Sequence, residues 1–293
     1  MIKGVILKGI GGFYYVDTEE GIFECRARGI FRKEGIVPTV GDNVEITVLD
    51  ALDKKGSLDT IYDRKTELIR PKVANVNQAV IVFAAKNPNI NIDLLDRFLI
   101  LAEEQGLDIV ICINKIDQDL EKNYERIANL YKTIGYPVVC TSVEKKIGLE
   151  ELCRMLEHKI SVFAGPSGVG KSSLINGMFP ALQLTTGEIS RKIQRGRHTT
   201  RHAELIQVEH QSYIVDSPGF TSLQLSHIAP KDLQYYFPEF APFLNQCYYT
   251  GCCHIHEPDC AIKKEIGVSI GQERYQRYTV LYQELVQEFE RRK

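Results

Sequence analysis

Nine residues, Gly165-Pro166-Ser167-Gly168-Val169-Gly170-Lys171-Ser172-Ser173, have the spacing of a loop that wraps phosphates. Glycines let such a loop turn its backbone N–H groups toward an anion, and a helix starting at its end adds a favourable dipole. Lys171 would reach the β- and γ-phosphates, and the Ser172 hydroxyl would ligate Mg²⁺. The loop follows the apolar run Ile160–Ala164 and precedes a helical pattern through Leu174–Phe179, which is the context this chemistry requires.

Phosphate binding does not select a base, but Asn114-Lys115-Ile116-Asp117 does. Guanine presents donors at N1 and N2 that one Asp117 carboxylate can accept, whereas adenine would leave that carboxylate unpaired. Ser142 and Val143, after Thr141, could add backbone N–H contact to the guanine O6. Asp216-Ser217-Pro218-Gly219 supplies a second Mg²⁺ ligand in Asp216 and a γ-phosphate sensor in the Gly219 N–H. Between these motifs lies Gly196-Arg197-His198-Thr199-Thr200, in which a threonine can complete the Mg²⁺ shell; Thr200 is favoured over Thr199.

Cysteine placement marks a second kind of site. Of the 8 Cys, Cys247, Cys252, Cys253 and Cys260 crowd into one short stretch with His254 and His256, while Cys25, Cys112, Cys140 and Cys153 are scattered among apolar residues. Met1-Ile2-Lys3-Gly4-Val5 lacks the long apolar core and cleavage site of a signal peptide, so a reduced chain is expected, in which such a knot reads as a metal site rather than a disulfide framework. Four Cys/His donors make a closed tetrahedral zinc site, structural rather than hydrolytic. Two registers are chemically open: Cys247, Cys252, His254 and Cys260, or Cys247, Cys253, His256 and Cys260.

The surrounding pattern says what must position these groups. The chain has 293 residues, 44% hydrophobic and 25% charged, enough for two or three domains that each bury a core. Up to about Ile69, alternating runs such as Phe13–Val16 and Val44–Val48 are broken by turn residues, predicting a small β-barrel of the OB type. From Gln78 the period changes. Apolar strands 78–84, 108–113, 137–141 and 160–164 alternate with helical segments 93–104, 120–132 and 149–158, predicting a parallel α/β sheet. Runs 204–209 and 212–216 read as a hairpin at the sheet edge. Beyond Ala229 come a short helix, the Cys/His knot and a long helix from Gly271 to Arg292. The expected domains are therefore 1–69, 70–228 and 229–293.

In Ras-like GTPases the phosphate loop comes first; here the guanine motifs precede it and Asp216–Gly219 comes last, so the domain is a circular permutation of that sheet. The chain leaving Gly219 runs directly into the C-terminal segment, which nucleotide state is expected to reposition. The permuted order, the phosphate loop, Gly196–Thr200, the barrel and the Cys/His knot together resemble the RsgA (YjeQ/YloQ) family of small-ribosomal-subunit-dependent GTPases over essentially the whole chain. That resemblance implies an N-terminal OB-like barrel, a central circularly permuted P-loop GTPase domain and a C-terminal helical zinc-binding domain. It implies GTP hydrolysis with Mg²⁺ when docked on the maturing small subunit, and one structural Zn²⁺ held by Cys247, Cys252, His254 and Cys260.

Two features bear on catalysis and partners. Phe220 stands where a water-orienting glutamine would follow the switch glycine, so intrinsic hydrolysis is expected to be slow, with His198 the internal candidate to orient that water. The net charge of −2 excludes a protein that coats nucleic acid by bulk charge. Local clusters, Arg191, Lys192, Arg195, Arg197 and Arg201, with Arg26, Arg28, Arg32 and Lys33 in the barrel, instead fit rRNA. No apolar run approaches the roughly 18 residues of a membrane span. The expectation is a cytoplasmic monomer that binds GTP or GDP and the small ribosomal subunit, and no membrane.

Overall fold

The computed structural model describes residues 1–69, 71–182, 203–216 and 223–292. Strands β1 (Ile2–Ile10), β2 (Phe13–Thr18), β3 (Gly21–Ala27), β4 (Asn43–Asp50) and β5 (Lys55–Ile61) close into a barrel of order β1-β2-β3-β5-β4. Alternation sends Ile6, Val16, Phe23, Ile46 and Leu58 inward, where all are fully buried. A short helix α1 (Gly29–Lys33), which the sequence pattern did not suggest, buries Phe31 in the barrel's core cluster. The hairpin β6 (Glu67–Ile69) and β7 (Lys72–Ala74) leads from the barrel to the main sheet.

That sheet has the order β10-β9-β8-β11-β13-β12, from β8 (Gln78–Ala84), β9 (Asp108–Asn114), β10 (Val138–Cys140), β11 (Ile160–Ala164), β12 (Leu205–Glu209) and β13 (Ser212–Val215). All neighbours are parallel except the edge hairpin β12/β13. Every residue of β8 is buried because both faces are covered. Ile81 and Phe83 pack with α2 (Ile92–Glu104) and α3 (Asn123–Ile134); Val80 and Val82 pack with α4 (Leu149–Leu156) and α5 (Lys171–Met178).

Helix α3 begins at Asn123 rather than at Leu120. The buried Asp119 carboxylate accepts the Tyr124 N–H at 3.0 Å, holding residues 119–122 as a turn and leaving Leu120 90% exposed. Past residue 223 the expected short helix is two 3₁₀ turns, Pro230–Tyr236 and Pro238–Phe243, each opened by proline. Pro238 and Pro242 remove the backbone donors that one continuous α-helix would need. Then follow the Cys/His loop, α6 (Ala261–Lys264) and α7 (Gln272–Glu290).

Helix α7 is fastened to α2 by buried charge. Arg274, fully buried, pairs with Asp96 of α2 and, at 2.7 Å, with Glu239; Arg277 and the Tyr131 hydroxyl also converge on Asp96. Burial by itself would lower the Arg274 pKa, and the two carboxylates outweigh it and hold the guanidinium above its ordinary value. The C-terminal segment is thus joined to α2 and α3 as well as through the chain that follows Asp216. Among the described residues no helix is long and apolar enough to cross a membrane.

Candidate nucleotide and metal sites

The phosphate loop leaves β11 at Gly165, which has φ +138 and where a Cβ would stand 2.1 Å from the Val82 carbonyl oxygen. Only glycine fits there. Gly170 caps α5 with φ +94, and a Cβ on it would meet Asn114 Nδ2 at 2.7 Å. Ser172, buried, and Ser173 occupy the first turn of α5, and Pro166, Ser167, Gly168 and Val169 form the loop before it. Lys171 Nζ donates to the Gly165 and Pro166 carbonyls at 2.7 and 2.8 Å, and burial pushes its pKa down to about 8.

The guanine motif is tied directly to this loop. Asn114 Nδ2 donates to the Val169 carbonyl at 2.9 Å, and Lys115 Nζ donates to the Gly168 carbonyl at 2.7 Å. Thr141, fully buried, donates to Asn114 Oδ1 at 3.1 Å, and the Ile116 N–H donates to the Thr141 carbonyl at 3.2 Å. The Ser142 hydroxyl donates to Asp117, turning that carboxylate, while its Oγ accepts the Lys145 N–H at 3.1 Å. Val143 packs against Gly177 of α5. Sequence reasoning missed one member: the Asn87 carbonyl, just past β8, accepts the second bond of Lys115 at 2.6 Å. Its only sequence signal was an Asn-Pro pair at a strand end.

Strand β13 lies parallel beside β11 with Ser161 opposite Ile214, so Asp216 leaves the sheet at the same end as the phosphate loop. Its N–H donates to the Glu204 carbonyl at 2.7 Å. His198, Thr199, Thr200, Gly219, Phe220 and the basic residues 191–201 lie outside the described residues.

The Cys/His loop brings one of the two candidate registers together. The ligand atoms of Cys247, Cys252, His254 and Cys260 lie within 4.8 Å of one another. Cys247 and Cys260 Sγ are 3.9 Å apart, and His254 Nδ1 is 3.6 and 3.3 Å from them. A tetrahedral zinc with Zn–S near 2.3 Å needs ligand atoms about 3.5–3.8 Å apart, so the donor set fits that metal. Glu257 accepts the N–H groups of Cys253, Ile255 and His256 at 2.8, 3.0 and 3.1 Å, and this turn leaves His256 exposed. Cys253 points instead toward the Gly251 carbonyl, at 3.6 Å. Burial raises the thiol pKa of Cys252 and Cys260 and lowers the imidazole pKa of His254, so a metal bound here would displace thiol protons and meet a neutral imidazole.

Comparison with known proteins agrees with this geometry. The family model of the RsgA GTPase matches residues 61–226, and that of the RsgA N-terminal domain matches residues 3–56. The chain belongs to the RsgA GTPase family. It is 48% identical over 286 residues to the small ribosomal subunit biogenesis GTPase RsgA of Alkaliphilus metalliredigens, covering 97% of this chain and 98% of that one. It is 47% identical to the RsgA of Caldanaerobacter subterraneus, covering 99% and 98%. Among solved structures it resembles YjeQ from Thermotoga maritima with a TM-score of 0.84 at 36% identity, covering 97% and 98%. It also resembles YloQ, a circularly permuted GTPase, with a TM-score of 0.80 at 37% identity, covering 98% and 96%. The chain is a GTPase of this family, with an N-terminal barrel, a permuted GTPase sheet and a Cys/His cluster able to hold a metal such as zinc.

Proposed function

We propose that the chain is a GTP-hydrolysing switch that binds the small ribosomal subunit through its rRNA late in maturation and is stimulated there. The observation that carries the nucleotide half is the tie of Asn114 and Lys115 to Val169 and Gly168, which sets a guanine-reading carboxylate beside a phosphate loop. The partner half rests on the names of the relatives and on the local basic clusters. In this reading Gly165–Ser173 and Lys171 hold the phosphates, Asn114–Asp117 with Ser142 and Val143 hold the base, and Ser172, Asp216 and Thr200 hold Mg²⁺. Cys247, Cys252, His254 and Cys260 hold one Zn²⁺, which folds their loop. The three units are 1–69, 70–228 and 229–293, working as a monomer in the cytoplasm.

Hydrolysis needs an in-line water and stabilised charge on the γ-phosphate. Lys171 is held by its own loop and exchanges the Gly165 and Pro166 carbonyls for phosphate oxygens when nucleotide binds. Phe220 cannot orient the water, so His198 or an RNA group takes that part when rRNA phosphates neutralise the basic residues around Thr200. The test is GTP turnover titrated with purified small subunits, with large subunits as control. Stimulation specific to small subunits and weakening between roughly 50 and 200 mM salt is expected. Turnover equally slow with and without subunits would leave a nucleotide-gated RNA-binding protein instead.

A further inference from the structure

His254 is held from both sides. Its Nδ1 faces the thiols of Cys247 and Cys260, while its Nε2 lies 2.7 Å from Gln234 Oε1. Which atom of the Gln234 amide faces the ring is settled by its other end: Gln234 Nε2 donates to the Lys231 carbonyl at 2.7 Å, so the oxygen is left for His254. An amide oxygen only accepts, so His254 Nε2 carries the hydrogen and Nδ1 keeps its lone pair for a metal. The Tyr275 hydroxyl, donating to the His254 carbonyl at 2.6 Å, fixes the backbone of the same residue, which stands at φ +64.

We infer that Gln234 is a positioning residue of the metal site, selecting the His254 tautomer that binds zinc and anchoring the cluster to the 3₁₀ turn Pro230–Tyr236. This rests on the zinc reading above. A partner on the remote nitrogen of a metal-bound histidine raises ligand basicity and limits ring rotation, and its loss typically weakens metal affinity roughly 10–100-fold. Gln234 lies on the path from the GTPase sheet to the C-terminal helix, and its neighbours Leu233 and Phe237 are buried in the same apolar cluster as Cys252 and Cys260. The metal would therefore secure the Pro230–Tyr236 turn as well as close its own loop.

The experiment is zinc affinity of the full chain by competition with a chromophoric chelator, alongside the nitrogen chemical shifts of the His254 ring. The Gln234→Leu variant is expected to bind zinc roughly 10–100-fold more weakly and to lose the single Nε2–H tautomer. Gln234→Glu retains an acceptor toward Nε2 and is expected to hold zinc at least as tightly as the parent. Parental affinity and tautomer in Gln234→Leu overturn the inference, as does an equal loss in both variants, which would mean that only packing had changed. If Gln234→Leu fails to fold, Gln234→Glu decides alone, with retained affinity in support and a loss against. A parent chain that binds no zinc would overturn the metal reading itself, which separates the two failures.

Discussion

Replacing Arg274 with Leu removes the cation that joins α7 to α2. Arg274 and Asp96 side chains are 0% exposed and Glu239 4%, so both carboxylates have lost nearly all their water. Asp96 keeps Arg277 and the Tyr131 hydroxyl, whereas the Glu239 carboxylate is left with no cation among the described residues. Stranding a buried charge in this way costs about 3–5 kcal/mol, a shift of roughly two to three and a half powers of ten in the folding equilibrium. Removing Glu239 as well, in Arg274→Leu with Glu239→Leu, takes away the stranded charge. Replacing both partners of a buried pair by apolar groups is often neutral, but the guanidinium also sits 4.2 Å from the Phe237 ring centroid, a contact of roughly 0.5–2 kcal/mol that the double variant cannot recover. The double variant is therefore expected about 1–2 kcal/mol below the parent, recovering about 2–3 kcal/mol of what the single variant loses. Because the chain contains no Trp, urea unfolding is followed by circular dichroism. A single variant within about 1 kcal/mol of the parent, or a double variant no better than the single, would refute the reasoning.

Asp117→Asn should shift preference from GTP toward xanthosine triphosphate by about 10⁴ or more, read as the ratio of the two affinities; an unchanged ratio would remove Asp117 as the base reader. Lys171→Ala should abolish hydrolysis and weaken triphosphate binding with the fold intact, and normal turnover would remove the phosphate-loop assignment. Burial lowers Lys171 to about 8, and triphosphate binding favours its charged form and raises that pKa. Affinity should then be insensitive to this group below pH 7 and fall up to about tenfold per unit above pH 8, with proton uptake on binding; calorimetry in buffers of different ionisation heat checks it, and Lys171→Arg should flatten the profile. Metal analysis is expected to find one zinc per parent chain, which replacing Cys247, Cys252, His254 or Cys260 singly should lose, while Cys253→Ser and His256→Ala retain it. Finally, His198→Ala should lower the subunit-stimulated rate with GTP affinity nearly unchanged; equal stimulation would leave His198 no catalytic part.

The buried network also bears on how a nucleotide signal could travel. Motif order predicts that nucleotide state can reposition the C-terminal segment through the short covalent connection after Gly219. Arg274 and Arg277 on Asp96, with Arg97 paired to Glu284 and Arg126 to Glu273, tie α7 to α2 and α3 as well. Any repositioning on GTP binding has to work against, or carry along, this attachment.

Sequence alone determined the parts whose chemistry is local. The phosphate loop needs consecutive residues, since Gly165, Gly170 and Lys171 act through one turn of backbone, and its spacing therefore survives in the text of the chain. The same holds for Asn114–Asp117 and for the period-2 and helical runs that predict a barrel followed by an α/β sheet. Tertiary structure alone decided everything that depends on groups distant in sequence. Residue types and spacing left both histidines open, and it is the Glu257 turn and the Tyr275 hydroxyl that aim His254 rather than His256 at the cysteines, because both carry the same ring and only backbone geometry separates them. The brace of Lys115 by Asn87, the hold of Gln234 on His254 and the burial of Arg274 against Asp96 join residues 28, 20 and 178 positions apart. Such pairs leave no periodicity or spacing to read. Whether a charged side chain is a solvated surface group or a buried tie is set by what the fold packs around it, and for Arg274 that is the meeting of α7 with α2 and the Pro238–Phe243 turn.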